Sequence, residues 1–152
     1  MLRNGHAAHP RVVEAQTLIR DRVCVDGGWN YGNKKVFGSD LLSYHHSTAW
    51  ALLALPRGDD LVAKGVERLR IILQRPSTLS LSLATLAAAH HGVDPTPWAD
   101  MLADRQAEDG SFGGGRVDRT ALAAIALRLM RTRMSPFTGP VSWDADKEVN
   151  HE

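Results

Sequence analysis

Asp118 is a carboxylate that lies between two arginines of the sequence. It stands in the segment RVDRTA, two residues after Arg116 and directly before Arg119. A neighbouring cation stabilises a carboxylate and lowers its pKa, whereas a proton-donating acid needs a raised pKa. An aspartate just before a helix commonly caps the free N–H groups of the first turn. We therefore predict that Asp118 caps a helix starting at Arg119, with proton donation as the alternative.

Two pairs of adjacent histidines have side chains that can bind metal ions. They are His45 with His46, and His90 with His91. Neighbouring side chains on a helix point about 100° apart, so a pair cannot place both imidazoles on one ion in the usual way. Zinc sites use four ligands, or three and a water, and Cys24 is the single cysteine. We predict no cofactor and no metal, with His45 as the alternative ligand, and expect His90 and His91 to bind free carbonyls of their own helix.

A group of aromatic and polar residues lies where loops lead into apolar segments. A concave surface with aromatic walls and a few polar groups is typical of a site for an apolar ligand. An aromatic residue that follows glycines can also hold the turn, and we favour that role for Trp29 and Phe112. The candidates for a ligand pocket are Trp29, Tyr31, Asp40, Tyr44, His45, Phe112 and Arg116.

Six predicted helices of two alternating kinds position these residues. Amphipathic helices, with apolar residues at helical spacing and charges opposite, are predicted at 10–24, 60–74 and 96–106. Helices that are apolar almost throughout, and so need enclosure on all sides, are predicted at 44–55, 79–91 and 118–132. The alternation predicts antiparallel hairpins with an inner layer of apolar helices and an outer layer of amphipathic ones.

Two segments could form strands instead, and the end of the chain has little regular pattern. LSLSL at 79–83 alternates like a strand, and residues 36–42 could pair locally. We discount both, because alanines follow LSLSL and a lone strand leaves its backbone unpaired. Residues 135–152, with their prolines and a polar end that includes Asp144 and Asp146, predict an irregular tail. Trp143 could tether this tail to the body.

An internal repeat carries a resemblance to a known superfamily. Residues 26–29 read DGGW, residues 109–112 read DGSF, and each leads into an apolar helix. The segment QAEDGSF, followed by GGG and DRTALAAIAL, resembles the repeat unit of squalene cyclases, other terpenoid cyclases and protein prenyltransferase β-subunits. The first repeat, DGGWNYG followed by YHHSTAWALLAL, is similar, although Val23 stands where Gln106 would match. The resemblance implies an α/α toroid.

The same resemblance shows which catalytic groups are missing. In the cyclases a DxDD cluster supplies the acid, and Asp118 falls on its middle aspartate while Arg116 and Arg119 replace the outer ones. The prenyltransferases hold zinc with an Asp, a Cys two residues later and a distant His. Here Thr120 takes the cysteine position, and His45 matches the histidine segment. The resemblance therefore implies a member without complete catalytic motifs.

A closed ring of the superfamily that this chain resembles has twice as many helices as the six predicted here, so the chain looks like half a ring. We expect residues 1–134 to form a partial toroid of three inner/outer helix pairs. An open arc would expose far more apolar surface than the few hundred Å² that a monomer tolerates. We therefore expect self-association or a partner chain to complete the ring. The alternative is that the chain is a fragment.

Composition sets the remaining expectations. The 152 residues carry a formal net charge of +1, and no block of like charges suggests nucleic acid or anionic lipid as a partner. No apolar run reaches membrane-spanning length, and the chain begins without an export signal, so we expect a cytoplasmic protein. The predicted function is a helical repeat module that binds an apolar, isoprenoid-like ligand or a protein partner and is not an enzyme by itself. The alternative is a subunit or fragment of a terpenoid cyclase or prenyltransferase.

Overall fold

The computed structural model describes residues 5–143, and helices dominate this range. The helices are α1 Pro10–Asp21, α2 His45–Ala54, α3 Val62–Ile72, α4 Thr78–His91, α5 Thr96–Ala103 and α6 Val117–Thr132. The predicted all-α class is confirmed, and every predicted helix is present with its ends within three residues of the expected positions.

Local sequence signals set the ends of these helices. Pro10 occupies the first turn of α1, where its missing N–H is no loss, and the His9 side chain accepts a hydrogen bond from the backbone N–H of Arg11. The Ser77 hydroxyl caps α4, and Gly92 ends it in the left-handed conformation. LSLSL lies inside α4, as the alanines after it predicted.

Helix α4 is the centre of the core. Its residues are almost all buried, and it packs against α2, α6 and α5. The amphipathic helices bridge successive apolar ones, because α3 contacts both α2 and α4 while α5 contacts both α4 and α6. A helix without a polar face, such as α4, is stable only in this enclosed position.

The apolar helices run parallel to one another. His45, in the first turn of α2, contacts Ser80 in the first turn of α4, and His91 at the end of α4 contacts Leu52 near the end of α2. Strand β3 (Met134–Ser135) follows α6 and contacts α4. A Cβ on Gly92, which ends α4, would lie 3.4 Å from the Ser142 carbonyl, and the neighbouring Val141 N–H donates to the carbonyl of Arg133, which ends α6. The carboxyl ends of these two helices therefore also lie together. The loops that enter the three apolar helices are therefore at the same end.

Two short hairpins correct the sequence analysis. Strand β1, Lys35–Val36, pairs with β2, Ser39–Asp40, so the prediction that residues 36–42 stay unpaired was wrong. The turn between them has positive φ at both Phe37 and Gly38, which is the tight geometry that fits the twist of a hairpin. Strand β3 pairs with β4, Gly139–Pro140.

The second hairpin also changes the interpretation of the expected tail. Residues 134–140 form β3 and β4 where irregular structure was expected. Val141 and Trp143 are buried in the core, and the Arg133 guanidinium lies 3.5 Å from the centre of a Trp143 ring. The segment therefore packs on the helices. Asp144, Asp146 and the rest of 144–152 lie outside the described residues.

Enclosure is complete for α4 but not for the other two apolar helices. Ala123, Ala126 and Leu129 bury one side of α6, while Val117 and Ile125 are exposed on another. On α2, Trp50 is exposed in the same way. In the single chain, α2 and α6 therefore each keep an exposed apolar side chain, whereas α4 is enclosed.

Candidate functional site

The two DG motifs fold into the same turn. In the first copy, the Cys24 backbone N–H donates to the Gly28 carbonyl at 2.8 Å; in the second, the Ala107 N–H donates to the Ser111 carbonyl at 2.9 Å. A second backbone bond inside each turn also matches, with N···O distances of 3.0 and 2.8 Å. The repeat found in the sequence is therefore a repeat of backbone structure.

Each aspartate of the repeat holds its own turn. The Asp26 carboxylate accepts the Gly28 N–H at 3.3 Å, and Asp109 accepts the Ser111 N–H at 2.9 Å. In the second copy the Gln106 amide also donates to a backbone carbonyl of the turn at 3.0 Å. These are the side-chain-to-backbone bonds by which short polar residues stabilise turns.

The aromatic residue of each copy is fixed by a threonine of the following helix. The Thr48 hydroxyl accepts the Trp29 N–H at 2.9 Å and donates to its carbonyl at 3.2 Å. Thr120 makes the same two bonds to Phe112, at 2.9 and 3.3 Å. The aromatic side chains are only 4% and 2% exposed. Trp29 and Phe112 therefore lie in the core and hold the turns.

The two copies differ in the loop that follows. Trp29 and Thr48 are 19 residues apart, whereas Phe112 and Thr120 are 8 apart. In the shorter loop, three consecutive glycines at 113–115 have positive φ, which allows the chain to turn within a few residues. The long version contains the β1–β2 hairpin. In repeat proteins, extra loop length on one copy commonly marks the binding face.

The longer loop forms one wall of an open cavity of about 490 Å³. The other wall is Arg68 on α3, which reaches the loop from a distant part of the sequence. The lining residues are Asn30, Tyr31, Asn33, Leu41, Leu42, Ser43, Tyr44 and Arg68. This volume lies within the usual range for small-molecule sites, and the lining combines apolar and aromatic groups with a few polar ones.

A partly buried ion pair holds the loop against α3. The Arg68 guanidinium lies 2.9 Å from the Asp26 carboxylate and donates to the Ser43 hydroxyl at 3.0 Å. Asp26 also accepts both the backbone N–H and the hydroxyl of Ser43. Burial alone would raise the pKa of Asp26, but the hydrogen bonds from Ser43 and Gly28 and the charge of Arg68 bring the pKa below its ordinary value.

Close packing in the first copy leaves no room for a side chain at residue 28. A Cβ added to Gly28 would lie 2.5 Å from the Ser43 hydroxyl oxygen and 2.7 Å from that of Thr48. The equivalent residue of the second copy is Ser111. The long loop therefore packs directly against the turn that both copies share, and this contact fixes the position of the cavity wall.

Two tyrosines and a histidine form a cluster at the mouth of the cavity. The Tyr31 hydroxyl lies 2.7 Å from His46 Nε2, and the Tyr31 and Tyr44 ring centres are 5.1 Å apart. Both tyrosines are half exposed or more. They are the two residues of the predicted ligand-pocket set that line this cavity.

Asp40 and His45 lie near the cavity but are engaged elsewhere. Asp40, in strand β2, pairs with Lys35 at 3.3 Å on the exposed hairpin. His45 Nδ1 is bonded to the Ser80 hydroxyl at 2.8 Å and accepts the His46 backbone N–H at 3.0 Å. Burial and the neighbouring His46 lower the pKa of His45. Residues 5–143 contain no cluster of three or more His, Cys, Asp or Glu that could hold a metal ion.

Arg116 and Asp118 form an exposed pair at the start of α6. The residue before the helix is Arg116, and no side chain caps it, so the prediction that Asp118 caps this helix was wrong. The helix begins two residues earlier than expected and includes Asp118 in its first turn. The hydrogen bond from Arg116, 3.1 Å long, lowers the pKa of Asp118, which does not favour a proton donor.

His90 and His91 contact a neighbouring helix and not their own. Their Nε2 atoms face the Leu55 and Leu52 carbonyls at the end of α2, at 3.2 and 2.7 Å. The prediction that they bind carbonyls of their own helix was wrong, because α2 and α4 end side by side. Both Nδ1 atoms are buried without a hydrogen-bond partner. Burial lowers the pKa of His91 to about 4.

The sequence analysis missed much of the cavity lining. Leu41, Leu42 and Ser43 lie directly before Tyr44, so the length difference between the two loops could have pointed to them. Nothing in the sequence pointed to Arg68. It belongs to the charged face of an amphipathic helix and lines the cavity only because α3 packs against the loop.

Comparisons with known protein-family models, curated proteins and solved structures give no match. The resemblance to terpenoid cyclases and prenyltransferases therefore rests on its motifs. Among the described residues, none of the helices is both long enough and apolar enough to cross a lipid bilayer.

Proposed function

We propose that this chain is a non-catalytic half-toroid module that binds an apolar, isoprenoid-like ligand in the cavity between the long loop and α3. The observation that carries the proposal is the difference between the two repeats. The same turn is built twice, and one copy adds a long loop whose residues line a cavity of about 490 Å³. The short loop shows that the turn itself does not need this addition.

The lining suits a ligand with an apolar body and a polar head. Leu41, Leu42 and the two tyrosines offer aliphatic and aromatic surface. Asn30, Asn33 and Ser43 add polar groups on the loop, and Arg68 lies on the opposite wall. An isoprenoid alcohol combines these two features, and the resemblance to enzymes of isoprenoid chemistry supports the same class of ligand.

A catalytic role is less well supported than a binding role. Asp118 is exposed and paired with Arg116, and His45 is bonded to Ser80. If the chain is a subunit of a cyclase or prenyltransferase, which is the alternative, a partner chain must supply the missing acid or zinc ligands.

Calorimetric titration with farnesol tests the proposed site. We expect Leu42→Ser to raise the dissociation constant about tenfold, because burying a leucine side chain contributes about 1.5–3 kcal/mol. The matched control is Ile71→Ser, which alters an exposed aliphatic residue of α3 outside this cavity. Equal affinities for the two variants, or an unmodified chain that does not bind farnesol, would rule out this site.

We also propose that a second copy of the chain completes the ring. In support, Val117 and Ile125 are exposed on α6, while Leu18 on α1 and Trp50 on α2 are exposed at the other edge of the helical layer. A ring closed by twofold symmetry would cover both edges at once.

Light scattering on the purified chain tests ring completion. We expect a dimer, and we expect Ile125→Glu to convert it to a monomer because the change places a charge in the apolar contact. Met101→Glu, on α5, is the control and should stay dimeric. A monomeric unmodified chain would exclude the closed ring.

A further inference from the structure

The β1–β2 hairpin exposes a large apolar side chain that no described residue covers. All four strand residues are exposed, and Phe37 at the tip is fully exposed. An isolated two-stranded hairpin is marginally stable in water, and a bare phenylalanine adds nothing to its stability there. The β3–β4 hairpin buries Ser135 and Gly139 against the helices, so β1–β2 is the one of the two described hairpins whose strand residues are all exposed.

The backbone conformation at the tip of the hairpin disfavours the phenylalanine that the chain places there. Phe37 has a φ of 48°, and Gly38 follows with a φ of 82°. This turn geometry favours Asn-Gly, because a bulky side chain is strained in the left-handed region. The hairpin therefore carries phenylalanine at a position where the turn itself would favour a small polar residue.

Exposed apolar and aromatic side chains and two lysines lie in the same loop as the tip. Leu42 and Tyr31, which are 62% and 77% exposed, and the half-exposed Tyr44 lie in the same loop. Lys34 and Lys35 lead into the hairpin. Lys34 donates to the Asp21 backbone carbonyl at 2.6 Å and lies 3.5 Å from the Asp21 carboxylate, while Lys35 pairs with Asp40 at 3.3 Å. All four side chains are at least half exposed. Exposed pairs of this kind contribute little, so the lysines can exchange these carboxylates for other anions.

We propose that this loop docks on the surface of a lipid bilayer. Phe37 would enter the boundary between headgroups and acyl chains, Tyr31 and Tyr44 would lie at headgroup level, and the two lysines would face lipid phosphates. Aromatic residues at the interface and lysines that extend to the phosphates are the typical features of such contacts. Phe37 is fully exposed and does not line the adjacent cavity, so it fits a soft surface better than a protein surface, which needs a matching pocket. The proposal does not depend on a ligand in the cavity.

Co-sedimentation of the full chain with phosphatidylcholine vesicles, with and without phosphatidylserine, tests the proposal. The unmodified chain should bind both, and Phe37→Ser should weaken binding about tenfold, as expected for removal of one buried aromatic side chain. The control is Met134→Ser, an exposed apolar residue in the hairpin at the opposite end of the helices, which should bind like the unmodified chain.

Two further measurements separate lipid from protein contacts. Lys35→Glu should weaken binding to vesicles that contain phosphatidylserine more than binding to phosphatidylcholine alone. A polarity-sensitive dye on Phe37→Cys should shift to shorter wavelength when vesicles are added, which reports insertion of the tip. Absence of vesicle binding by the unmodified chain, or equal binding by Phe37→Ser, would overturn the proposal. So would a Phe37→Ser change that only abolished self-association measured without vesicles.

Discussion

Replacement of Trp29 by alanine is expected to lower the free energy of unfolding by about 3–5 kcal/mol, the usual range for removal of a buried large aromatic residue. The indole packs against Gly65 of α3 so closely that a Cβ on Gly65 would lie 3.0 Å from it. Its N–H also donates to the Ile19 carbonyl at 2.7 Å. One side chain thus joins α1, the first turn and α3, and urea denaturation will measure its contribution.

The second copy provides the matched comparison for this prediction. Phe112 takes the equivalent place, so Phe112→Ala should cause a loss in the same range. Trp29→Phe keeps an aromatic ring but removes the indole hydrogen bond to the Ile19 carbonyl, which still accepts the Arg22 backbone N–H. We therefore expect a loss of about 0.5–1.5 kcal/mol. A Trp29→Ala variant as stable as Trp29→Phe would show that the ring does not hold the turn in the way described.

Acid is expected to destabilise the fold through His91, by about 3 kcal/mol between neutral pH and pH 4. Its pKa is about 4 in the folded chain, against an ordinary value of 6.5. Burial is the main cause; the hydrogen bond to Leu52 and the charge of Asp59 oppose it, while His90 and Arg57 add to it. Burial also lowers the pKa of His90, so its effect has the same sign.

The direction of the effect follows from proton binding. Between pH 6.5 and about 4 the unfolded chain binds a proton at His91 that the folded chain does not. The free energy of unfolding therefore falls as the pH falls through this window, and the contribution of His91 levels off below the folded-state pKa. Protonation at Nδ1 would place a charge on a buried atom that has no acceptor nearby.

Denaturation at a series of pH values checks this prediction with two variants. His91→Gln keeps an N–H that can reach the Leu52 carbonyl but cannot titrate, so the His91 contribution to the acid sensitivity should disappear while that of His90 remains. His6→Gln alters an exposed histidine and should leave the pH dependence as it is. If His91→Gln were as acid-sensitive as the unmodified chain, the proposed titration would be wrong.

Much of the fold could be predicted because its signals are local. The apolar and amphipathic segments alternate, and Pro10, Ser77 and Gly92 mark helix ends, so the helices follow from neighbouring residues. The β1–β2 hairpin was missed because its turn places a phenylalanine at positive φ, where propensity favours Asn-Gly. The capping role predicted for Asp118 was wrong because α6 begins without any side-chain cap.

The site was less predictable because it depends on contacts between distant residues. The tyrosines could be selected from the loop sequence, but the pairing of Asp26 and Ser43 with Arg68 is set by the packing of α3. The contacts of His90 and His91 with α2 likewise depend on two parallel helices ending at one level. Contacts of this kind depend on how the helices pack and therefore could not be predicted from the sequence.

An amide proton–nitrogen correlation spectrum recorded during titration with farnesol tests the proposed function most directly. The largest chemical-shift changes should fall on residues of the long loop that line the cavity and on Arg68, and should saturate with added ligand. The 113–115 loop of the second copy is an internal reference and should change little. A titration without saturable shifts, or one whose largest changes lie at the short loop or at the opposite end of the helices, would contradict the proposal.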